Sequence, residues 1–138
     1  ACRHNLSYWR YEDFAGIGPG AHGRLSTAPA SGWAMRQHAK PETWLNAVER
    51  NRHGCAEARP ISAGERAQEM LMMGLRLDEG VDLRRFVART ALTLGEATRP
   101  GALERLSAGG FLVHSEETLR ATEKGRAVLN SLLPELLV

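Results

Sequence analysis

Cys2-Arg3-His4-Asn5-Leu6-Ser7-Tyr8-Trp9-Arg10-Tyr11, running on to Gly16-Ile17-Gly18-Pro19-Gly20-Ala21-His22-Gly23, is the stretch on which the reading of this 138-residue chain turns. Polar aromatics, histidines and glycines crowd into it with little helical or strand periodicity, the composition of a segment that lines a site. An imidazole offers nitrogen to a metal, and Tyr8 and Trp9 offer flat apolar faces with a polar edge. A flat metallocycle such as haem suits that mixture. Gly16, Gly18, Gly20 and Gly23 permit positive φ and the close approach of a ligand or of another backbone. The same residues are equally readable as a Gly/Pro turn carrying ordinary core aromatics, and residue chemistry alone leaves both readings open.

Around this stretch, the composition is that of a globular domain with one sizeable core: 43% hydrophobic and 25% charged residues. A formal net charge of +2 lacks the concentrated basic face that nucleic acid or an anionic membrane requires. No run approaches the ~20 continuous apolar residues of a membrane span. Two cysteines, Cys2 and Cys55, without a secretory pattern predict a reducing compartment, hence a cytoplasmic protein. The chain starts at Ala1 in a segment that reads as already engaged in structure. The expectation is a C-terminal part of a longer protein.

Taken in order, the pattern predicts a short strand around Leu6 to Trp9, a second through Phe14 to Ile17, and then the glycine loop. Gly18-Pro19-Gly20-Ala21-His22-Gly23 matches G-x-G-x-x-G, but no helical run follows it, so a dinucleotide site is rejected. Residues 26 to 39 read as a loop or poorly paired hairpin, and Pro41 opens an amphipathic helix through Trp44, Leu45 and Val48. Gly54 to Ile61 reads as a connector and the best domain boundary. Beyond it, Ser62-Ala63-Gly64-Glu65 signals a helix start, and Asp82 caps a second helix burying Leu83, Phe86 and Val87. Pro100 opens a third with Leu103 and Leu106 inward. Phe111 to His114 and Thr118 to Ala121 form a hairpin, and Thr122 caps a last helix that Pro134 should kink or end near Leu133. Helices followed by a hairpin and a closing helix predict a winged-helix-like module.

Several chemistries are formally possible. Cys2, His4, His53 and Cys55 make a complete zinc set, but the one-residue spacing within each pair is awkward for a structural site. Cys55 beside His53 and Ser62 lacks a locatable orienting group for nucleophilic catalysis. Asp78-Glu79 and Glu116-Glu117 read as solvated turn carboxylates. A winged-helix module raises a nucleic-acid alternative, yet Arg99, Arg105, Arg120, Lys124 and Arg126 are nearly balanced by Glu96, Glu104, Glu116, Glu117 and Glu123. No nucleic-acid partner is expected.

The motifs His4-Asn5-Leu6-Ser7-Tyr8-Trp9 and Gly16 to Gly23, with Glu69 to Leu77, Glu79-Gly80-Val81-Asp82-Leu83 and Leu119-Arg120-Ala121-Thr122, closely resemble the haem-chaperone branch of the radical-SAM family that includes oxygen-independent coproporphyrinogen III oxidase. The likeness covers nearly the whole chain. It implies an α+β fold, the last strand and loop elements of a partial β/α (radical-SAM) barrel over residues 1–54, followed by a mainly helical, winged-helix-like C-terminal domain over 55–138. It implies haem binding by His4, Asn5, Tyr8 and Trp9, with His4 as axial ligand of the haem iron. Gly16, Gly18, Gly20, His22 and Gly23 would form a cavity-lining loop. The partners implied are haem, a client haem protein that receives it, and a missing N-terminal barrel portion of the same protein. That portion would carry the [4Fe-4S] cluster and S-adenosylmethionine, whose cysteine motif is absent here. The present chain alone should be catalytically inert, and the alternative is a portion of a true coproporphyrinogen III oxidase of porphyrin biosynthesis.

Overall fold

The computed structural model describes residues 3–138, the side chain of His4 excepted, and the fold is mixed helix and strand. Cys2 lies outside the described residues. Close contacts divide the chain into two units, one formed by residues up to Tyr11 together with Ala63–Val138, the other by Glu12–Ser62. In chain order the elements are α1 (Arg3–Trp9), β1 (His22–Ala28), β2 (Ser31–Gln37), α2 (Pro41–Asn51), β3 (Cys55–Pro60), α3 (Ala63–Gly74), β4 (Val81–Asp82), α4 (Leu83–Thr90), α5 (Leu94–Ala97), α6 (Ala102–Ala108), β5 (Leu112–His114), β6 (Thr118–Ala121), α7 (Glu123–Ala127) and α8 (Leu129–Leu136).

Glu12–Ser62 folds as a three-stranded antiparallel sheet in the order β1-β2-β3 with α2 between the last two strands in sequence. The span expected as a loop or poorly paired hairpin is an antiparallel ladder from His22↔Arg36 to Ala28↔Ser31, with an irregularity between Ser26 and Ala28. Pro29 and Ala30 make its two-residue turn, where proline presets φ. Leu25, Trp33 and Met35 alternate with small or polar residues, a period of two that the many Ser, Thr and Gly residues obscured. The expected connector is strand β3, paired with β2 from Trp33↔Pro60 to Gln37↔Cys55. The expected strand at Phe14 is reduced to a single bridge with Arg24. Helix α2 has Pro41 in its first turn and ends at Arg52 in the left-handed region. Its Trp44 indole donates to Gln37 Oε1 at 3.1 Å and fills the space that a Cβ on Gly54 would need.

The other unit holds the core, in which Leu71, Leu75, Phe86, Leu112, Leu119 and Leu136 are fully buried. Its three-stranded sheet has the order β4-β6-β5. The Asp82 side chain accepts from the Arg85 N–H and starts α4, as expected, but α4 buries Phe86 and Thr90 while Val87 is exposed. Helix α5 has no counterpart in the hydrophobic pattern because it spans one turn. A reciprocal capping box nonetheless marks it, with Glu96 N–H donating to Thr93 and Thr93 N–H donating to Glu96. In α6 the deepest residue is Ala102, Leu103 and Leu106 being half-buried. The closing helix breaks at Val128 (φ −121°, ψ 25°), not at Pro134, which sits inside α8. Proline there removes only the hydrogen bond to the carbonyl of exposed Asn130, which water can satisfy.

Candidate functional site

The segment expected as a strand is helix α1, and this changes the geometry of the proposed site. On a strand, positions 4 and 8 would face away from positions 5 and 9. At 100° per residue on a helix, all four positions fall within an arc of about 140°. Tyr8 is 39% exposed and Asn5 is exposed, so that side of the helix is open, whereas Leu6, Ser7 and Trp9 are half-buried. The short polar and aromatic run that hid its periodicity thus builds one continuous face. The His4 side chain, the expected iron ligand, lies outside the described residues.

Helix α1 is anchored at its C-terminal end to α3 and to the turn after it. Trp9 stands edge-on to Tyr8, ring centroids 5.4 Å apart and planes at 74°. The Arg76 guanidinium sits 5.6 Å from the Trp9 ring centroid, a cation–π contact. Arg10 donates from Nε and from a terminal guanidinium nitrogen to the two Glu79 oxygens at 2.7 and 3.1 Å. Tyr11 is buried, its hydroxyl donates to Glu69 Oε2, and its carbonyl accepts from Arg89 at 3.5 Å. A cavity of about 330 Å³ opens beside this anchor, lined in part by Trp9, Arg10, Met70, Glu79, Asp82 and Arg85. None of Glu69, Arg76, Glu79 or Arg89 was legible as a site residue. Glu79 is solvated, as expected of a turn carboxylate, and is also the partner of Arg10.

The Arg10 hydrogen bonds hold the Glu79 carboxyl below the usual glutamate range, slight burial working against them and the Arg10 charge adding to them. A depressed carboxylate pKa contributes stability above the unfolded value and loses it as pH falls through the folded value. Glu79→Gln is therefore expected to weaken α1 docking by less than about 1 kcal/mol at neutral pH, since both side chains are well solvated. In a urea-melt series, the difference from the native chain should shrink with added salt and vanish in acid.

The glycine loop belongs to the other unit. Gly18 and Gly20 take φ of 102° and 72°, and Gly20 N–H donates to the His38 carbonyl at 2.8 Å. A Cβ on Gly16 would lie 2.3 Å from the His22 carbonyl oxygen, so only glycine fits there. The chain then enters strand β1 at His22 and not a helix. Of the zinc set, His53 Nδ1 accepts from the Cys55 N–H at 3.3 Å, and Cys55 Sγ donates to the Glu57 carbonyl at 3.2 Å. Among the described residues, no three His, Cys, Asp or Glu side chains gather as a metal site. No helix of the described residues is long and apolar enough to cross a membrane.

Several basic residues of the winged-helix alternative are turned on the chain itself, while Arg120 is exposed. Arg99 donates to the Leu137 carbonyl at 2.7 Å, and Lys124 donates to Gly109 at 2.9 Å while lying over the Phe111 ring. Arg126 pairs with Asp78 at 2.9 Å.

Residues 61–128 match the HemN C-terminal domain. Proteins of Dictyostelium discoideum and Mus musculus, both named radical S-adenosyl methionine domain-containing protein 1, mitochondrial, are 33% and 36% identical over 98% and 97% of this chain. The Escherichia coli heme chaperone HemW is 32% identical over 96% of it. This chain spans about a third of the length of each of these relatives. A solved structure of coproporphyrinogen III oxidase (HemN) from Escherichia coli, described as a radical SAM enzyme, shares the fold with a TM-score of 0.60 at 14% identity, over 89% of this chain and 28% of that one.

Proposed function

We propose that this chain, whose residues 61–128 match the HemN C-terminal domain and which is similar along nearly its whole length to part of the heme chaperone HemW, is the haem-holding C-terminal portion of a haem chaperone that passes its cargo to a client protein. The observation that carries this reading is α1, which collects positions 4, 5, 8 and 9 on one side and leaves Tyr8 and Asn5 open. Haem is cargo here, and the residues suit one face of it. Tyr8 presents a partly exposed ring for the flat macrocycle, Asn5 an amide for hydrogen bonding, and His4 is the axial ligand. Trp9, held under Arg76, fixes the helix and supports Tyr8 edge-on. Contact from one helix face leaves the opposite side of the macrocycle accessible to a client, which transfer requires.

In this reading, residues 12–62 close the edge of a radical-SAM barrel, and residues 63–138, together with those up to Tyr11, form its winged-helix-like C-terminal domain. The barrel portion holds the [4Fe-4S] cluster and S-adenosylmethionine. The two cysteines of this chain are fewer than the three that such a cluster takes from its protein, and no step of haem holding is assigned to either group. The place of work is the cytoplasm.

Haem titration of the full-length protein and its His4→Ala form tests the reading. A Soret band that shifts or weakens on substitution is expected, and an unchanged spectrum removes His4 as the ligand. Sustained vinyl-group formation from coproporphyrinogen III by the reconstituted full-length protein would replace the chaperone with an oxidase.

A further inference from the structure

In the unit built from residues up to Tyr11 and Ala63–Val138, the partly or wholly buried arginines differ in what they touch. Arg66 donates to the Arg89 carbonyl at 3.4 Å, Arg89 donates to the Tyr11 carbonyl, and Arg126 donates to the Ala121 carbonyl at 2.8 Å while pairing with Asp78. Arg85 is the exception. Its backbone N–H donates to Asp82 at 3.0 Å in the cap of α4, whereas its half-buried guanidinium meets no carboxylate and no carbonyl among the described residues.

Arg85 lines the cavity of about 330 Å³ that opens beside the α1 anchor. The other charges of that wall are already engaged: Glu79 by Arg10, and the Asp82 carboxylate by the first turn of α4, whose N-terminal amides favour it. The remainder is apolar or neutral. Met70 and Val81 are each 5% exposed, Trp9 is half-buried, and Thr118 stands opposite Asp82 in the β4-β6 ladder. A guanidinium donates and never accepts, and its planar fork matches a carboxylate through two parallel hydrogen bonds. Apolar walls beside one such fork suit a carboxylate carried on a short aliphatic stem. The cavity is at the small end of ligand pockets, which fits a side chain or a small molecule and not a whole macrocycle.

We propose that this cavity is a carboxylate-binding site in which Arg85 takes the carboxylate and Trp9, Met70 and Val81 pack against the stem that carries it. This deepens the haem reading and rests on it for the source of the carboxylate, which is a tetrapyrrole propionate. Trp9 makes the link, since it lines the cavity and its ring centroid is 5.4 Å from that of Tyr8, the ring that the haem reading lays against the macrocycle. A propionate leaves the macrocycle edge on two methylenes, the kind of stem this wall suits. A free short-chain carboxylate offers the same chemistry.

Metal-free ligands separate the site from iron ligation. Mesoporphyrin IX and its dimethyl ester are titrated into the full-length protein and followed by porphyrin fluorescence. The acid should bind about tenfold more tightly than the ester, the share of one charge-assisted contact. Arg85→Gln should close that gap while His4→Ala leaves it intact. Arg85→Lys keeps the charge and loses the fork, and should narrow the gap. Circular dichroism and melting of each variant check that the fold persists. If Arg85→Gln does not fold, the lysine variant carries the comparison, and an unnarrowed gap there counts against the site. A gap that is absent, or that persists in folded Arg85→Gln, removes propionate as the source, and sodium butyrate then decides. Saturating shifts of the Trp9 indole N–H resonance that vanish in Arg85→Gln reassign the site to a free carboxylate, and their absence from the native protein refutes it. The haem reading stands or falls separately on the His4→Ala Soret band.

Discussion

Phe86→Ala is expected to destabilise the Ala63–Val138 fold by about 3–5 kcal/mol. Phe86 is fully buried, and α4 presents it inward together with Thr90. Removing the ring leaves a void among close-packed side chains that relax only in part. A domain stabilised by about 5–15 kcal/mol would lose a large share of its margin. The denaturant midpoint should fall with the slope unchanged. Val87→Ala, one residue away and 46% exposed, should cost no more than about 0.5 kcal/mol. Equal losses in the two variants would contradict the assigned inward face of α4.

Tyr11→Ala should be almost as costly, about 3 kcal/mol or more, and its effect should concentrate on α1. Tyr11 is 5% exposed and sits at φ 56°, a conformation that a bulky residue keeps only where its surroundings hold it. Its ring is part of the core, its hydroxyl donates to Glu69, and its carbonyl accepts from Arg89. Tyr11→Phe keeps the ring and should cost about 1 kcal/mol, that of one hydrogen bond. Hydrogen exchange at residues 6 to 10 is the measurement, since a detached helix loses protection while α3 keeps its own. In the haem reading, Tyr11→Ala also weakens haem binding without touching the macrocycle. Haem affinity unaffected by faster exchange in α1 would separate the helix from the site.

The sequence was most readable where one residue dictates one local event. Asp82 and Thr122 accept from backbone N–H groups three residues on, and Pro41 opens α2, because capping and proline geometry act within a single turn. The β5-β6 hairpin is equally local. Helix α1 was not legible, since its seven residues carry too few apolar side chains for a period and it is fixed by Arg76, Glu79 and Glu69, more than fifty positions away. Val87 and Val128 show the limit of apolar pattern: each is hydrophobic, yet Val87 lies off the inward side of a short helix and Val128 sits at a break between two. The four positions of the candidate haem face were named from the motif. That they share one side follows from the helix, and the cavity at Arg85 follows from the packing around it, which motif reading does not supply.

Residues up to Tyr11 pack with Ala63–Val138, although Glu12–Ser62 intervene in the chain. Closing a loop of roughly fifty residues costs about 3.5 kcal/mol of chain entropy, which α1 must recover through contacts made only after its platform exists. The helix is therefore expected to dock late in folding and to be the first element to let go, which hydrogen exchange at residues 6 to 10 would show. In the haem reading, a cargo-bearing segment whose detachment left the remaining framework standing would work as a reversible latch, with its release threshold set by Tyr11, Arg10 and Trp9.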